Sequence, residues 1–180
     1  MEIIETKLKG CYIIKPKVFG DNRGYFAETY NKEKLMQAGI NIDFIQDNQS
    51  FSSIKGTLRG LHLQKEPMAQ SKLVRCTQGA VYDVAIDLRE DSATYGEWVG
   101  VELSAENHTQ LFIPKGFAHG FQTITDDVIF QYKVDNYYSK ENEVGIIWND
   151  PVIGIDWPIN EPILSEKDKD NPFLCEVKIR

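Results

Sequence analysis

From residue 80 to residue 88 the chain reads Ala-Val-Tyr-Asp-Val-Ala-Ile-Asp-Leu. Tyr82, Val84, Ile86 and Leu88 share one parity, and Asp83 and Asp87 share the other. A strand, whose successive side chains point to opposite faces, separates those two sets. Comparable short segments cover residues 11–14, 24–29, 71–78, 98–103, 110–113, 120–125 and 128–134, while residues 44–53 read as extended but polar, their Gln46-Asp47-Asn48-Gln49 being commoner in turns and alternatively suited to a polar cavity wall. They are divided by turn formers at Gly20-Asp21-Asn22, Asn107, Pro114-Lys115-Gly116 and Asp126-Asp127. Residues 71–78 and 80–88 are expected to form a strand pair hinged at Gln78-Gly79. Helix signals are confined to residues 32–38, capped by Asn31 and ended by Gly39, and to a short turn over residues 164–168. Many short strands with so little helix predict an all-β sandwich or barrel with a few short peripheral helices.

A chain of 180 residues, 42% of them hydrophobic, suffices for the core of one domain over residues 1–180. A net charge of −7 argues against general binding to nucleic acid or to a membrane surface, but leaves room for a local basic cluster that grips a small anion. Cys11, Cys76 and Cys175 are odd in number and lack metal-like spacing, so reduced thiols are expected. Residues 1–5 carry no basic region leading into an apolar run, and no stretch approaches the ~18 apolar residues of a membrane span. A cytoplasmic protein is the expectation.

The run Gly56-Thr57-Leu58-Arg59-Gly60-Leu61-His62-Leu63-Gln64 places Leu61 and Leu63 on one parity, with Gly60, His62 and Gln64 on the other. A histidine so placed serves as a proton-transfer group, a metal ligand or a hydrogen-bonded filler. His119 closes Pro114-Lys115-Gly116-Phe117-Ala118-His119, which resembles the second signature motif of the cupin superfamily. That resemblance implies a cupin-like jelly-roll barrel. Metal-binding cupins carry His-x-His in their first motif, followed by a glutamate. Here Gln64 stands at the second histidine and Glu66 follows too closely. A first-row metal wants three or four N, O or S ligands, so none is expected.

Further runs narrow the resemblance. Phe19-Gly20-Asp21-Asn22-Arg23-Gly24-Tyr25-Phe26-Ala27-Glu28, Gln46-Asp47-Asn48, Leu58-Arg59-Gly60-Leu61-His62 and Lys72-Leu73-Val74-Arg75 all look like the dTDP-4-dehydrorhamnose 3,5-epimerase family. So do residues 113–121, Tyr132-Lys133, Trp148-Asn149-Asp150-Pro151 and Leu164-Ser165-Glu166-Lys167-Asp168, in family order across nearly the whole chain. The resemblance implies a homodimeric isomerase that inverts C3 and C5 of dTDP-4-dehydro-6-deoxy-glucose, without metal or organic cofactor. Its partner is a dTDP-sugar substrate.

Epimerisation beside a ketone needs a base on one face, a stabiliser for the enolate oxygen and an acid on the other face. His62 suits the base, because imidazole titrates near working pH. The resemblance pairs it with Asp168, which requires the C-terminal segment to fold back over the barrel mouth; by itself Asp168 reads as a helix-end charge. Lys72, on the parity of Val74 and Cys76, suits the enolate stabiliser, although edge-strand lysines also guard against aggregation. His119 is expected to bond the same oxygen or a sugar hydroxyl. Tyr132 reads alone as a core aromatic; the resemblance makes it the acid. For the nucleotide the resemblance implies Arg23, Phe26, Glu28, Gln46, Asn48, Arg59, Glu143 and Lys167, with Tyr138 stacking on thymine and residues such as Arg23 and Glu28 supplied by the neighbouring subunit. Two rivals remain open: a related enzyme that inverts one centre, and a non-catalytic sugar-binding barrel.

Overall fold

Both faces of the central strands are buried, and this shapes the whole architecture. The computed structural model describes residues 1–179. In chain order its elements are β1 (Glu2–Glu5), β2 (Tyr12–Lys15), β3 (Val18–Asp21), β4 (Gly24–Ala27), α1 (Lys32–Gln37), β5 (Gln46–Ser52), β6 (Leu58–Gln64), β7 (Lys72–Gln78), β8 (Ala80–Asp87), β9 (Trp98–Ser104), β10 (Gln110–Ile113), β11 (Phe117–Thr123), β12 (Val128–Val134), β13 (Glu143–Gly145) and α2 (Glu166–Lys169). One sheet runs β1-β2-β10-β7-β12-β5 and the other β13-β6-β11-β8-β9, while β3 and β4 form a separate hairpin. All pairings between named strands are antiparallel. This is a cupin-like jelly roll, as the cupin motif implied.

Val74, Val81, Ala85, Leu103, Leu111, Ile113, Phe121 and Phe130 fill the space between the sheets. The other parity of β8, Val84 and Ile86, packs with Leu58, Leu61 and Leu63 beneath Ile146, Ile153, Trp157 and Leu174 of the C-terminal segment. A smaller cluster joins Leu35 and Ile40, at and after α1, to Ile14, Leu73 and Phe112 on the outside of the six-stranded sheet. The apolar parity of β8 thus covers the barrel's outside, and Asp83 and Asp87 belong to its interior parity.

Several expectations need correction. Residues 71–78 and 80–88 do not pair: β7 lies between β10 and β12, and β8 between β11 and β9. At Gly79 (φ +71°) the chain passes from one sheet to the facing one, and a Cβ there would meet Thr125 Oγ1 at 2.5 Å. A hairpin and a sheet crossing share the same alternation, so periodicity does not separate them. The first turn falls at Asn22-Arg23, because the Asp21 carboxylate accepts a 2.9 Å bond from Arg23 N–H and Gly20 and Asp21 continue β3. Strand β11 begins at Phe117 rather than at residue 120, so His119 lies within the strand. Strands β1, β3 and β13, of three or four residues each, were too short to read by alternation.

Strand β6 departs from strict alternation. His62 pairs with His119 but Arg59 with Phe121, so three steps on β6 match two on β11. The extra residue is a bulge at Gly60-Leu61. It places Leu58 and Leu61 on the same outer face despite their opposite parity, and Arg59 and His62 on the inner one. Gly60 has φ +133°, and a Cβ on it would lie 2.6 Å from the Cα of Gly120. Backbone cannot yield as a flexible side chain would. Gly60→Ala is therefore expected to destabilise the fold by more than about 2 kcal/mol, measured by chemical denaturation; a stability matching the starting protein would refute this account of the bulge.

Candidate active site

The two sheets leave a cavity of about 490 Å³ whose walls include Arg59, His62 and His119 from the five-stranded sheet and Lys72 and Tyr132 from the six-stranded sheet. Lys167 and Asp168 close it from the C-terminal segment. The return of that segment is built in steps. Ile163 forms a parallel bridge with Thr57, its N–H donating to Gly56 O and its carbonyl accepting from Leu58 N–H, both at 2.9 Å. Ser165 then caps α2, its Oγ accepting from Asp168 N–H at 3.1 Å. This fixes Asp168 where its Oδ1 meets His62 Nε2 at 2.6 Å.

Asp168 is 4% exposed. Burial raises its pKa, but the bond and charge of His62, the Ser165 hydroxyl and the Gly60 N–H outweigh that and hold it below the usual carboxylate range. An ionised Asp168 accepts the Nε2 proton of His62 and leaves Nδ1 as the basic nitrogen. Across the cavity, burial pushes the Tyr132 phenol up, opposed by Arg59, so the hydroxyl remains a proton carrier at neutral pH. Burial pushes Lys72 down to about 8, with Asp83 and Glu143 opposing the fall. Its ammonium makes no hydrogen bond or ion pair among the described residues, and it is the kind of preorganised charge that stabilises a developing oxyanion.

His119 Nε2 lies 2.8 Å from Asp83 Oδ1, both groups buried. Burial lowers the histidine's pKa, opposed by the Asp83 charge, which favours a neutral ring. Asp83 is a site residue that sequence reasoning left unassigned. Its signal was present, an aspartate on the same strand parity as Val81 and Ala85, but alternation alone did not say that this parity lines the barrel interior.

The cavity gathers His62, Lys72, Tyr132, Asp168, Arg59, His119 and Lys167 of the residues singled out from sequence. Tyr138 and Glu143 sit at its rim instead: Glu143 accepts from Tyr138 Oη at 2.9 Å and from Lys167 Nζ at 2.5 Å, and so tethers a cavity residue. Gln46 and Asn48 lie on the inward parity of β5, the Gln46 amide donating to Asn48 Oδ1 at 2.8 Å, two and more residues from the cavity-lining Ser50. Arg23, Phe26 and Glu28 do not line the cavity of their own chain. Arg23 is held to Asp21 at 2.6 Å on the projecting hairpin, Phe26 is 68% exposed beside it, and Glu28 pairs with Lys34 at 2.5 Å. With Asn48 and one edge of Tyr132, Phe26 and Glu28 border a separate cleft of about 530 Å³. Gln64, at the position where metal-binding cupins carry histidine, accepts the Ser139 N–H at 3.0 Å.

Fold and cavity define a cupin-like jelly-roll protein with titratable groups facing one another across the barrel. Residues 5–176 match the family described as dTDP-4-dehydrorhamnose 3,5-epimerase, and the chain belongs to that family. It is 54% identical over 169 residues to the dTDP-4-dehydrorhamnose 3,5-epimerase of Shigella flexneri, covering 93% of each chain. Among solved structures it is similar to that of the Bacillus anthracis dTDP-4-dehydrorhamnose 3,5-epimerase with TDP and PPi bound (TM-score 0.94, 51% identity, 96% of this chain and 99% of that one). It is also similar to a Legionella pneumophila dTDP-6-deoxy-D-glucose-3,5-epimerase in complex with dTDP-4-keto-L-rhamnose (TM-score 0.94, 45% identity, 98% and 94%).

Lys72 supplies a test with two signs. Its pKa is lower in the folded chain than its ordinary value of 10.5, so at neutral pH its charge opposes folding, a penalty relieved as pH rises through about 8. Lys72→Met is expected to cut kcat by about 10²–10³-fold. It should also raise neutral-pH stability by on the order of 1–2 kcal/mol, allowing for partial exposure to the cavity. Activity loss accompanied by lower stability at neutral pH would contradict this account.

Proposed function

We propose that this chain is a dTDP-4-dehydrorhamnose 3,5-epimerase, inverting C3 and C5 of dTDP-4-dehydro-6-deoxy-glucose. The observation that carries the reading is the opposition across one cavity of His62 with Asp168 on one wall and Tyr132 with Lys72 on the other. The C4 ketone acidifies the C–H bonds on both sides of it. His62 Nδ1 removes the proton, and the electron pair moves into the ring as the C4 oxygen becomes an enolate. Asp168 orients the imidazole and balances the imidazolium. Lys72 receives the developing oxyanion. Tyr132 returns a proton to the opposite face of the same carbon, and exchange with solvent resets both groups. A neutral His119 whose Nε2–H is donated to Asp83 offers Nδ1 as an acceptor, which suits a sugar hydroxyl better than the enolate oxygen.

The nucleotide end follows the charge distribution. Arg59 and Lys167 supply cationic donors to the pyrophosphate, Tyr138 presents an exposed ring for stacking on the base, and Glu143 holds Lys167 in place. Gln46 and Asn48 offer amides from β5. Arg23, Phe26 and Glu28 project from their own barrel and serve the cavity of a second copy in a homodimer. The reading takes residues 1–180 as one cytoplasmic domain that needs no metal or organic cofactor and binds neither nucleic acid nor membrane. No helix among the described residues is long and apolar enough to cross a membrane.

Turnover of dTDP-4-dehydro-6-deoxy-glucose in D₂O, with the product examined by NMR, is expected to place deuterium at both C3 and C5. Label at one carbon only would identify an enzyme that inverts a single centre, and no label would leave a binding barrel. His62→Ala is expected to abolish incorporation at both carbons. Tyr132→Phe, which keeps the base, is expected to retain C–H exchange while losing inversion by about 10²-fold or more. Normal turnover by His62→Ala would remove the base assignment.

A further inference from the structure

Asp83 is completely buried between the two sheets, yet only one of its carboxylate oxygens is satisfied. Oδ1 accepts from His119 Nε2 at 2.8 Å, and Oδ2 has no hydrogen-bond partner among the described residues. A buried carboxylate with an unmet oxygen is costly, and native structures keep few of them without a reason. The surrounding interior would accept an apolar residue: Val81 and Ala85 share the strand parity, and Val101 is the register partner on β9. Packing therefore does not call for a charge here.

The groups acting on Asp83 can be named element by element. His119 comes from β11, with His62 beside it on β6, and Lys72 and Cys76 come from β7. Cys11, just before β2, is the remaining one. Both thiols are pushed up by burial, Cys11 to about 12 and Cys76 to about 11, so they stay neutral and supply no counter-charge. Lys72 is also acted on by Glu143 of β13, but that carboxylate is committed to Lys167 and Tyr138 at the rim. Beyond its bond to His119, Asp83 thus meets no other hydrogen-bond partner, and Lys72 meets no ion-pair partner, among the described residues.

We propose that Asp83 is the positioning residue behind the cavity, one oxygen fixing the orientation and tautomer of His119 and its negative charge holding Lys72 as an ammonium. The proposal rests on the roles read above for Lys72 and His119. It explains why a charge is kept at an otherwise apolar interior position. Burial in a dry cavity disfavours the cation facing the enolate, and the Asp83 charge, fixed by the 2.8 Å bond to His119, opposes that fall while leaving Lys72 without a hydrogen bond of its own.

The test is Asp83→Asn, nearly isosteric and uncharged. The titration of Lys72 in the substrate-free enzyme is followed by competitive amine labelling across pH with peptide mass spectrometry. It is expected to move about one pH unit down in the variant. The alkaline limb of kcat/KM should move with it, giving about threefold lower kcat/KM at pH 7.5 beyond any change at pH 6.5. Affinity for dTDP, which lacks the sugar, should stay within about twofold of the starting protein. An unmoved Lys72 titration overturns the proposal even where activity falls. So does a loss of activity uniform across pH accompanied by a lower Tm, which is the signature of a structural role alone. Should Asp83→Asn not fold, Asp83→Ser carries the same measurement with a smaller side chain. Failure of the functional reading shows separately: a fully active Lys72→Met removes the role of Lys72, while the labelling still reports whether Asp83 sets its charge.

Discussion

Where β6 crosses β11 the two backbones come so close that a Cβ on either Gly60 or Gly120 would lie within 3 Å of the other strand, at 2.6 Å and 2.9 Å respectively. That approach accommodates the bulge, and the bulge decides which side chains share a wall. Without it, strict alternation from His62 would turn Arg59 to the outside of the barrel and Leu58 to the inside. With it, one strand of seven residues presents an imidazole and a guanidinium to the same cavity and still buries Leu58, Leu61 and Leu63 together on the far face. Arg59 is further held by Nη2 donating to Phe51 O at 3.1 Å and Nε to Ser52 Oγ at 3.2 Å, which ties it across to β5.

The polar interior is expensive, and its expense is distributed unevenly. Surface pairs such as Arg23–Asp21 and Lys169–Glu166 contribute little, because water screens them. Inside the barrel, Lys72 and His119 have lost their water, and burial lowers the pKa of each while the Asp83 charge opposes the fall. Burial acts in opposite chemical senses on two neighbouring strands of one wall, β7 and β12. It lowers the pKa of Lys72 and raises that of Tyr132, leaving a cation and a protonated phenol side by side at neutral pH. Desolvation is thus what makes this set of residues suitable for proton transfer.

The C-terminal segment is held as firmly as a strand, though it is nearly devoid of regular structure. Asp150 is buried, its carboxylate accepting from the N–H groups of Val152, Ile153 and Leu174 at 2.8, 3.1 and 2.7 Å. Trp157 donates its indole N–H to Trp148 O at 2.8 Å and packs in the outer cluster. These contacts cover the apolar face of the five-stranded sheet and fix the path that delivers Asp168. The same burial that stabilises the barrel therefore places the carboxylate against His62.

Local patterns in the sequence determined a good deal. Alternation in residues 80–88 and its sister segments gave an all-β chain, the Asn31 cap marked the first helix, residues 164–168 marked the second as a short helical turn, and the parity of Lys72 with Val74 and Cys76 correctly turned that lysine inward. These features depend on neighbours one to four residues away, which is the range over which backbone geometry ties side-chain direction to sequence. Tertiary structure decided what lies beyond that range. It separated β7 from β8 into facing sheets, moved Arg59 to the side of His62 through the bulge, left Arg23, Phe26 and Glu28 outside their own chain's cavity, and gave Asp83 its histidine. Each of these turns on which strands lie beside one another, and strand order is set by how the whole chain buries its apolar faces at once.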